Sequence, residues 1–321
     1  MKLQPKVSVC MITYGHEKFI EQAINGVLMQ QGDFELELIL SNDCSPDTTD
    51  VVIQNIVKNH PKASCITYFN HKENLGMMPN FIFALEQCSG SYVALCEGDD
   101  YWTDPYKLQK QVDFLEANPD YVLSFHKVKI LKPDGSIVPD FITNVPENYE
   151  TQETLARLGN YIHTPSVVFR NIIKEFPKEF SLSPIGDYFL YMLLTEHGKL
   201  KYLVDEMAVY RDGVGVWSAQ SEYFKNLKTA ITHSIIINVL SDNNIVKYIL
   251  KDRVLNFINI FHSEIKADHL LQLNTCTFME KEIYSFLLSK NNVVANSSYT
   301  KYTTKELFTI ILKRIIKKFF K

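Results

Sequence analysis

Three short polar stretches carry the side chains best suited to chemistry. Glu97-Gly98-Asp99-Asp100 packs three carboxylates into four residues. Adjacent carboxylates repel one another and cost stability unless a cation compensates them. Hard oxygen donors of this kind suit Mg²⁺ or Mn²⁺, ions that usually share their shell with phosphate. The same run also reads as a solvated acidic turn ahead of the next helix. Asn42-Asp43-Cys44-Ser45-Pro46-Asp47 offers Asp43 either as an acceptor for a base N–H or as the anchor of an Asx turn. Tyr14-Gly15-His16 offers Tyr14 as a ring to stack on a base, or as a partly buried aromatic. Asp187 stands ahead of Tyr188-Phe189-Leu190, where a helix N-cap belongs. His163 precedes an extended segment that would border a second pocket, and it fits a structural role as well. Trp102 and Trp217 can face a sugar ring or fill a core.

Such residues act together only if the chain folds them onto one edge. Residues 7–13 form a nearly continuous apolar run, as a parallel strand buried on both faces does. Phe19, Ile20, Ala23, Ile24, Val27 and Leu28 mark a helical face within 17–31. Strand patterns recur at 35–41, 65–69 and 92–96. Helices are expected from Asp47 as N-cap, over 79–88 and from about Pro105, a good first-turn residue. This alternation predicts a parallel sheet with helices on both faces, whose ligands bind at the carboxyl ends of the strands. The three polar stretches then share one rim. Residues 120–220 mix strands at 122–131, 165–170 and 200–204 with one helix over 186–197. Beyond 220 the strand pattern gives way to helix, which suggests a boundary there.

Composition narrows the classes. Of 321 residues, 46% are hydrophobic and 22% charged, as in soluble globular proteins, which excludes disorder and fibrous repeats. A net charge of -4 gives no general reason to bind nucleic acid. The six cysteines, Cys10, Cys44, Cys65, Cys88, Cys96 and Cys276, have no C-x-x-C spacing and several lie in apolar runs, so buried free thiols in a reducing compartment are expected. No signal peptide is legible, and no run of 18 apolar residues exists to span a bilayer. G-x-x-x-x-G-K-[ST] and a G-x-G-x-x-G after the first strand are both missing, so a bound nucleotide needs another device.

Taken in order, Val7-Ser8-Val9-Cys10-Met11-Ile12-Thr13-Tyr14, Leu40-Ser41-Asn42-Asp43-Cys44-Ser45 with Asp47-Thr48, Asn74-Leu75-Gly76 with Asn80, and Glu97-Gly98-Asp99-Asp100 with Trp102 and Pro105 closely resemble the inverting family 2 glycosyltransferases of bacterial cell-surface glycan synthesis. The resemblance covers roughly residues 5–130 and continues more weakly through His163–Arg170 and Gly186-Asp187-Tyr188. It implies a GT-A fold: a mostly parallel, Rossmann-like α/β sheet flanked by helices, here with a helical C-terminal extension. The implied division is a catalytic domain over 1–220 (a nucleotide-sugar half over about 1–130, an acceptor half over 131–220), a helical region over 221–300 and a basic amphipathic helix over 301–321. By the same resemblance Thr13 and Tyr14 line the base pocket, and Asp43 hydrogen-bonds the base, commonly uracil. His71 and Lys72 lie where relatives often carry a basic residue. Asp99 contacts the ribose or metal, Asp100 holds a divalent cation bridging the donor diphosphate, and Asp187 is the catalytic base. Tyr210-Arg211 through Trp217 is similar to a late motif of related bacterial enzymes, in which a His usually follows the Arg; here Asp212-Gly213 intervenes.

The expected activity is therefore metal-dependent, inverting transfer of a sugar from a nucleoside-diphosphate donor, a UDP-sugar favoured, to a glycan or lipid-linked glycan. The rival readings are a sugar nucleotidyltransferase, which usually needs a Gly-rich loop after the first strand, and a non-catalytic nucleotide- or carbohydrate-binding module, which would not need Asp187. Residues 301–321 hold seven Lys or Arg and one Glu, leaving the preceding body net acidic. As a helix, 305–321 gathers Leu312, Ile315, Ile316, Phe319 and Phe320 on one side and its cations on the other, the form of an interfacial membrane anchor or of a docked helix with solvated lysines. A cytoplasmic enzyme, peripheral on the inner face of the membrane, is the corresponding expectation.

Overall fold

The apolar run at the start becomes β1 (Lys6–Thr13), and its residues alternate between two cores. Val7, Val9 and Met11 pack with the buried face of α1 (Ile20–Leu28), while Cys10 joins the core on the opposite side of the sheet. Burial on both faces explains why the run shows no polar alternation. The computed structural model describes residues 4–215, 220–241, 243–261 and 264–265. After α1 come β2 (Glu35–Asn42), α2 (Thr49–Asn59), β3 (Ile66–Asn70), α3 (Met77–Gln87) and β4 (Tyr92–Leu95). They are followed by β5 (Tyr101–Trp102), α4 (Lys107–Ala117), β6 (Tyr121–Leu131), β7 (Ile137–Pro139), α5 (Gln152–Leu158), β8 (Val168–Arg170), α6 (Gly186–Leu194), β9 (Lys199–Arg211), α7 (Glu222–Val239) and α8 (Asn244–Ile260).

The main path through the sheet runs β3-β2-β1-β4-β8-β6-β9-β5, with β7 on β6. The first four strands are parallel, as the βαβ pattern predicts. The rest of the sheet is mixed. β8 runs antiparallel to both β4 and β6, β6 and β9 are parallel, and β5 is antiparallel to β9. The fold is thus α/β with a parallel half and a mixed half.

The middle of the chain departs from expectation in several places. It holds two α-helices, α5 and α6, where the pattern showed one. With seven residues α5 is too short to display a period, although Thr151 caps it by accepting from Thr154 N–H. β9 is far longer than the expected 200–204 segment, because its second half pairs with β5 and β6. At α2 the cap position is Thr48 rather than Asp47, yet Asp47 Oδ1 accepts from Thr49 N–H and its Oδ2 from Glu17 N–H.

α7 and α8 pack on each other, and α8 packs on α5. Their buried residues, including Leu227, Ile235, Ile236, Leu250 and Val254, share one core with α6. Cys10, Cys88 and Cys96 are buried free thiols, while Cys44 and Cys65 are partly open and Cys276 lies outside the described residues. Among the described residues no helix is long and apolar enough to cross a membrane. Trp217 and the whole of 305–321 lie outside the described residues.

Candidate active site

The site grows from the level ends of two strands. β1 and β2 run in register to Thr13 opposite Asn42, so the loops that follow leave the sheet at the same height. Backbone bonds then lace three loops together: Asp43 N–H to Thr13 O at 3.0 Å and Gly98 N–H to Ile12 O at 3.0 Å. Gly15 N–H donates to Ser45 Oγ at 2.9 Å and His16 N–H to Thr49 Oγ1 at 2.9 Å. The convergence expected of the three polar stretches is present. Gly98 permits it, since a Cβ there would stand 2.6 Å from Thr13 Oγ1 and 2.9 Å from His16 Nδ1.

Asp43 is buried, with both carboxylate oxygens engaged: Oδ1 accepts from Leu75 N–H at 2.7 Å and Oδ2 from Gly76 N–H at 3.0 Å. Asn74 Nδ2 donates to Asp43 O, so Asp43 draws the 74–76 turn over the rim. Each carboxylate oxygen keeps a second lone pair. The next residue, Cys44, sits in the left-handed region at φ 58°. Tyr14 is half exposed on the same rim. His71 is different. Its Nε2 lies 3.0 Å from Ser41 Oγ and 3.1 Å from Asn80 Oδ1, and its ring sits edge-on to Phe83. Through that nitrogen half-buried His71 ties β2 to α3, while Lys72 is exposed.

The acidic stretch forms a true cluster. One oxygen each from Glu97, Asp99 and Asp100 lie within 4.8 Å of one another. Asp100 is 1% exposed. Its Oδ1 accepts from Arg211 N–H at 2.8 Å, and its Oδ2 is buried with no hydrogen-bond partner. Burial, with Asp99 alongside, holds the Asp100 carboxyl well above the usual carboxylate range. Burial first, then Asp99 and Asp187, pushes Glu97 up to about 8. Three hard donors, one of them orphaned in the interior, fit a divalent cation.

Arg211 ends β9, and the pairing of Tyr101 with Val209 brings it over the acidic turn. Its guanidinium donates to Asp99 O and to Gln22 Oε1, between the rings of Phe19 at 4.8 Å and Tyr101 at 4.7 Å. Arg211 thus holds the acidic turn through Asp99 O and the Asp100 carboxylate, with its guanidinium buried between two rings.

Asp187 occupies the first turn of α6, with Ile185 at the cap position. The simple N-cap reading gives way to a more elaborate arrangement. Oδ1 accepts from Tyr188 N–H at 2.7 Å, and Oδ2 from Asn160 Nδ2 at 2.9 Å and Thr164 Oγ1 at 3.3 Å. Burial raises the Asp187 carboxyl above its ordinary range despite these three donors.

The remaining candidates are internal. Trp102 is 2% exposed, its indole N–H donating to Pro165 O at 2.8 Å and the Lys107 ammonium lying 4.1 Å from its ring centre. It has no free face for a sugar and is a core residue. His163 is buried, with Nε2 3.1 Å from Asp140 Oδ2 and its ring against Tyr210. Both of these contacts are internal to the protein. His16, to which the sequence assigned no role, stands in the site with Nδ1 3.1 Å from Thr13 Oγ1 and Nε2 4.0 Å from Asp99 Oδ2. Asn160 and Thr164 orient Asp187; Asn160 had no sequence signal, and Thr164 stood in the weaker His163–Arg170 match with no role assigned.

Residues 8–176 match the family model described as glycosyl transferase family 2. An uncharacterised protein of Mycobacterium tuberculosis is 34% identical over 213 residues, 66% of this chain and 60% of that protein's own length. Among solved structures, S. aureus TarS 1-349 in complex with UDP-GlcNAc superposes with a TM-score of 0.58 at 18% identity, covering 87% of this chain and 79% of that one. The mannosyltransferase PcManGT from Pyrobaculum calidifontis, in complex with GDP-Man and Mn²⁺, gives a TM-score of 0.55 at 15% identity over 99% and 89%. These two likenesses are likenesses of fold.

Proposed function

The chain belongs to glycosyl transferase family 2, and from that premise we propose that it moves a sugar, with inversion, from a nucleoside-diphosphate donor to a hydroxyl of a glycan or lipid-linked glycan. The observation that carries the reading is the Glu97-Asp99-Asp100 cluster, half-buried at Glu97 and buried at Asp99 and Asp100, with its orphaned Asp100 oxygen, together with an Asp187 held by three donors. UDP-GlcNAc and GDP-Man in the fold neighbours support a nucleotide-sugar donor, and a UDP-sugar is favoured. Thr13, Tyr14 and Asp43 border the base pocket in this reading, and Asp99 lies toward the ribose or cation.

The residues divide the work. Asp187 accepts the proton of the acceptor hydroxyl while that oxygen attacks the anomeric carbon and the bond from that carbon to the diphosphate oxygen breaks. One displacement inverts the centre. Asn160, Thr164 and the Tyr188 N–H hold the carboxylate's direction. The raised pKa of Asp187 makes it a stronger base than an ordinary aspartate. Asp100, with Asp99 and Glu97, would hold Mn²⁺ or Mg²⁺, which supplies charge neutralisation of the departing diphosphate.

Residues 1–130 serve the donor and 131–220 the acceptor in this scheme; of the helical region expected over 221–300 the described part is α7 and α8, and the basic segment 301–321, which lies outside the described residues, is the proposed contact with an anionic, cytoplasmic membrane face. The test is Asp187→Asn. UDP or GDP binding with Mn²⁺, measured by calorimetry, should persist while transfer falls by about 10²–10⁴-fold. Wild-type turnover in Asp187→Asn would overturn the base, and a folded protein that binds no nucleotide would favour the non-catalytic reading.

A further inference from the structure

Two functional turns, far apart in sequence, are joined by a buried polar strut. On one side, the Asp99–Asp100 turn runs directly into β5, which carries Trp102. On the other, the turn at Thr164–Ser166 presents Thr164 Oγ1 to Asp187 Oδ2 at 3.3 Å. Between them the indole N–H of Trp102 donates to Pro165 O at 2.8 Å. A second bond grips the same turn: Gln111 Nε2 donates to Ser166 O at 2.9 Å and to Ser124 O at 3.0 Å. Lys107 locks the two together, since its Nζ donates to Gln111 Oε1 at 2.8 Å while lying 4.1 Å from the centre of the Trp102 ring. Trp102, Lys107, Gln111 and Ser166 are all buried.

Core packing alone requires an apolar volume here, and a Phe or Leu would supply it. It does not require an indole donor, an amide and an ammonium. Buried polar groups are retained only with partners, and once paired they are stiff and directional. These bonds end on the main chain of the turn that orients the base. The Trp102 bond begins two residues from Asp100, and the Gln111 bond reaches that turn only through Lys107 and the Trp102 ring.

We propose that Trp102 and Gln111 are positioning residues for sugar transfer, fixing the Asp99–Asp100 turn relative to the Thr164–Ser166 turn and hence to Asp187. This rests on the reading of Asp187 and the acidic cluster given above. The chemical demand is alignment: base, acceptor oxygen, anomeric carbon and leaving oxygen must line up, and small misplacements of such a line cost on the order of 10²-fold in rate. Neither residue touches substrate.

The experiment uses the full chain with a UDP-sugar donor, Mn²⁺ and an accepted glycan. Trp102→Phe keeps the ring and loses the N–H; Gln111→Met keeps the length and loses the amide. Each is compared with wild type, with Thr164→Val and with the corresponding double variant. Calorimetric stoichiometry for UDP gives the competent fraction. The expected result is a fall in kcat of about 10–100-fold with UDP Kd within about threefold. Combined with Thr164→Val, the loss should be clearly smaller than the product of the two single losses, because both act through one turn. Unchanged kcat, a strictly multiplicative loss, or a matching loss of UDP affinity overturns the proposal. If Trp102→Phe fails to fold, Gln111→Met is judged on the same three readouts. Asp187→Asn separates the two levels: full transfer there sinks the reading of the site, whereas wild-type kcat in Trp102→Phe beside a silent Asp187→Asn sinks only the strut.

Discussion

Three titratable side chains, the buried Asp100 and Lys107 and the half-buried Asp187, set the residue-scale expectations. Asp100 has one oxygen without a partner and a carboxyl raised by burial and by Asp99. Removing its charge removes that penalty, so Asp100→Asn should match or exceed the wild-type melting temperature without cation. It should also lose most of the gain in melting temperature that Mn²⁺ gives the wild type, and transfer should fall by at least about 10²-fold. A variant that keeps the full Mn²⁺ response would remove Asp100 from the cation site. For Asp187 the sign follows from its proposed role: a base acts deprotonated, so kcat/KM should rise as pH climbs through its pKa. Since burial raises that pKa, the acid limb should lie above the ordinary aspartate value of about 3.9 and be missing from the residual activity of Asp187→Asn. Lys107 is pushed down to about 7 by burial, against about 10.4 in the unfolded chain. Between those values the unfolded chain binds more protons, so this lysine makes stability rise with pH, by at most about 1.4 kcal/mol per unit. Urea titrations at pH 7 and 9 should show Lys107→Met losing that part of the slope. These burial effects were the least legible part of the sequence. Asp99 and Asp100 announce themselves by adjacency, whereas nothing local says that Lys107 is buried or that Trp102 faces inward.

At the scale of elements, the first four strands and their helices were legible because each is a local pattern: a two-sided apolar run or a helical stripe bounded by polar turns. Their rim followed from the rule that parallel strands end together. β5, β7 and α5 are too short for any period, and β8 has only three residues. Their positions come from tertiary pairing, which overrides so weak a local signal. The loops meet closely at Gly98. Gly98→Ala places a methyl 2.6 Å from Thr13 Oγ1 and 2.8 Å from Thr13 Cβ, so the β1 and β4 loops must part. Overpacking of this kind costs about 1–3 kcal/mol. The expected reading is a lowered melting temperature together with weakened UDP binding; unchanged affinity would show that the rim adapts without disturbing the base pocket.

Across the whole molecule, the sheet reverses direction between β4 and β8, and that reversal assembles the site. A strand antiparallel to β4 starts where β4 ends, so the segment just ahead of β8 arrives beside the Glu97–Asp100 loop. The family resemblance implied Asp187 as a base, but it left out Asn160 and gave Thr164 no role; their bonds to the Asp187 carboxylate are visible only in the fold. There is a consequence for how the chain acquires its shape. β6 is synthesised before β8, yet β8 lies between β4 and β6 in the finished sheet. A nascent chain that has emerged only through β6 has no native neighbour for the outer side of β4, and such an edge is an invitation to pair with another chain. Insertion of three residues, Val168–Arg170, closes that edge. The same pairing that brings the Thr164–Ser166 turn to the acidic loop thus also covers the otherwise open edge of β4.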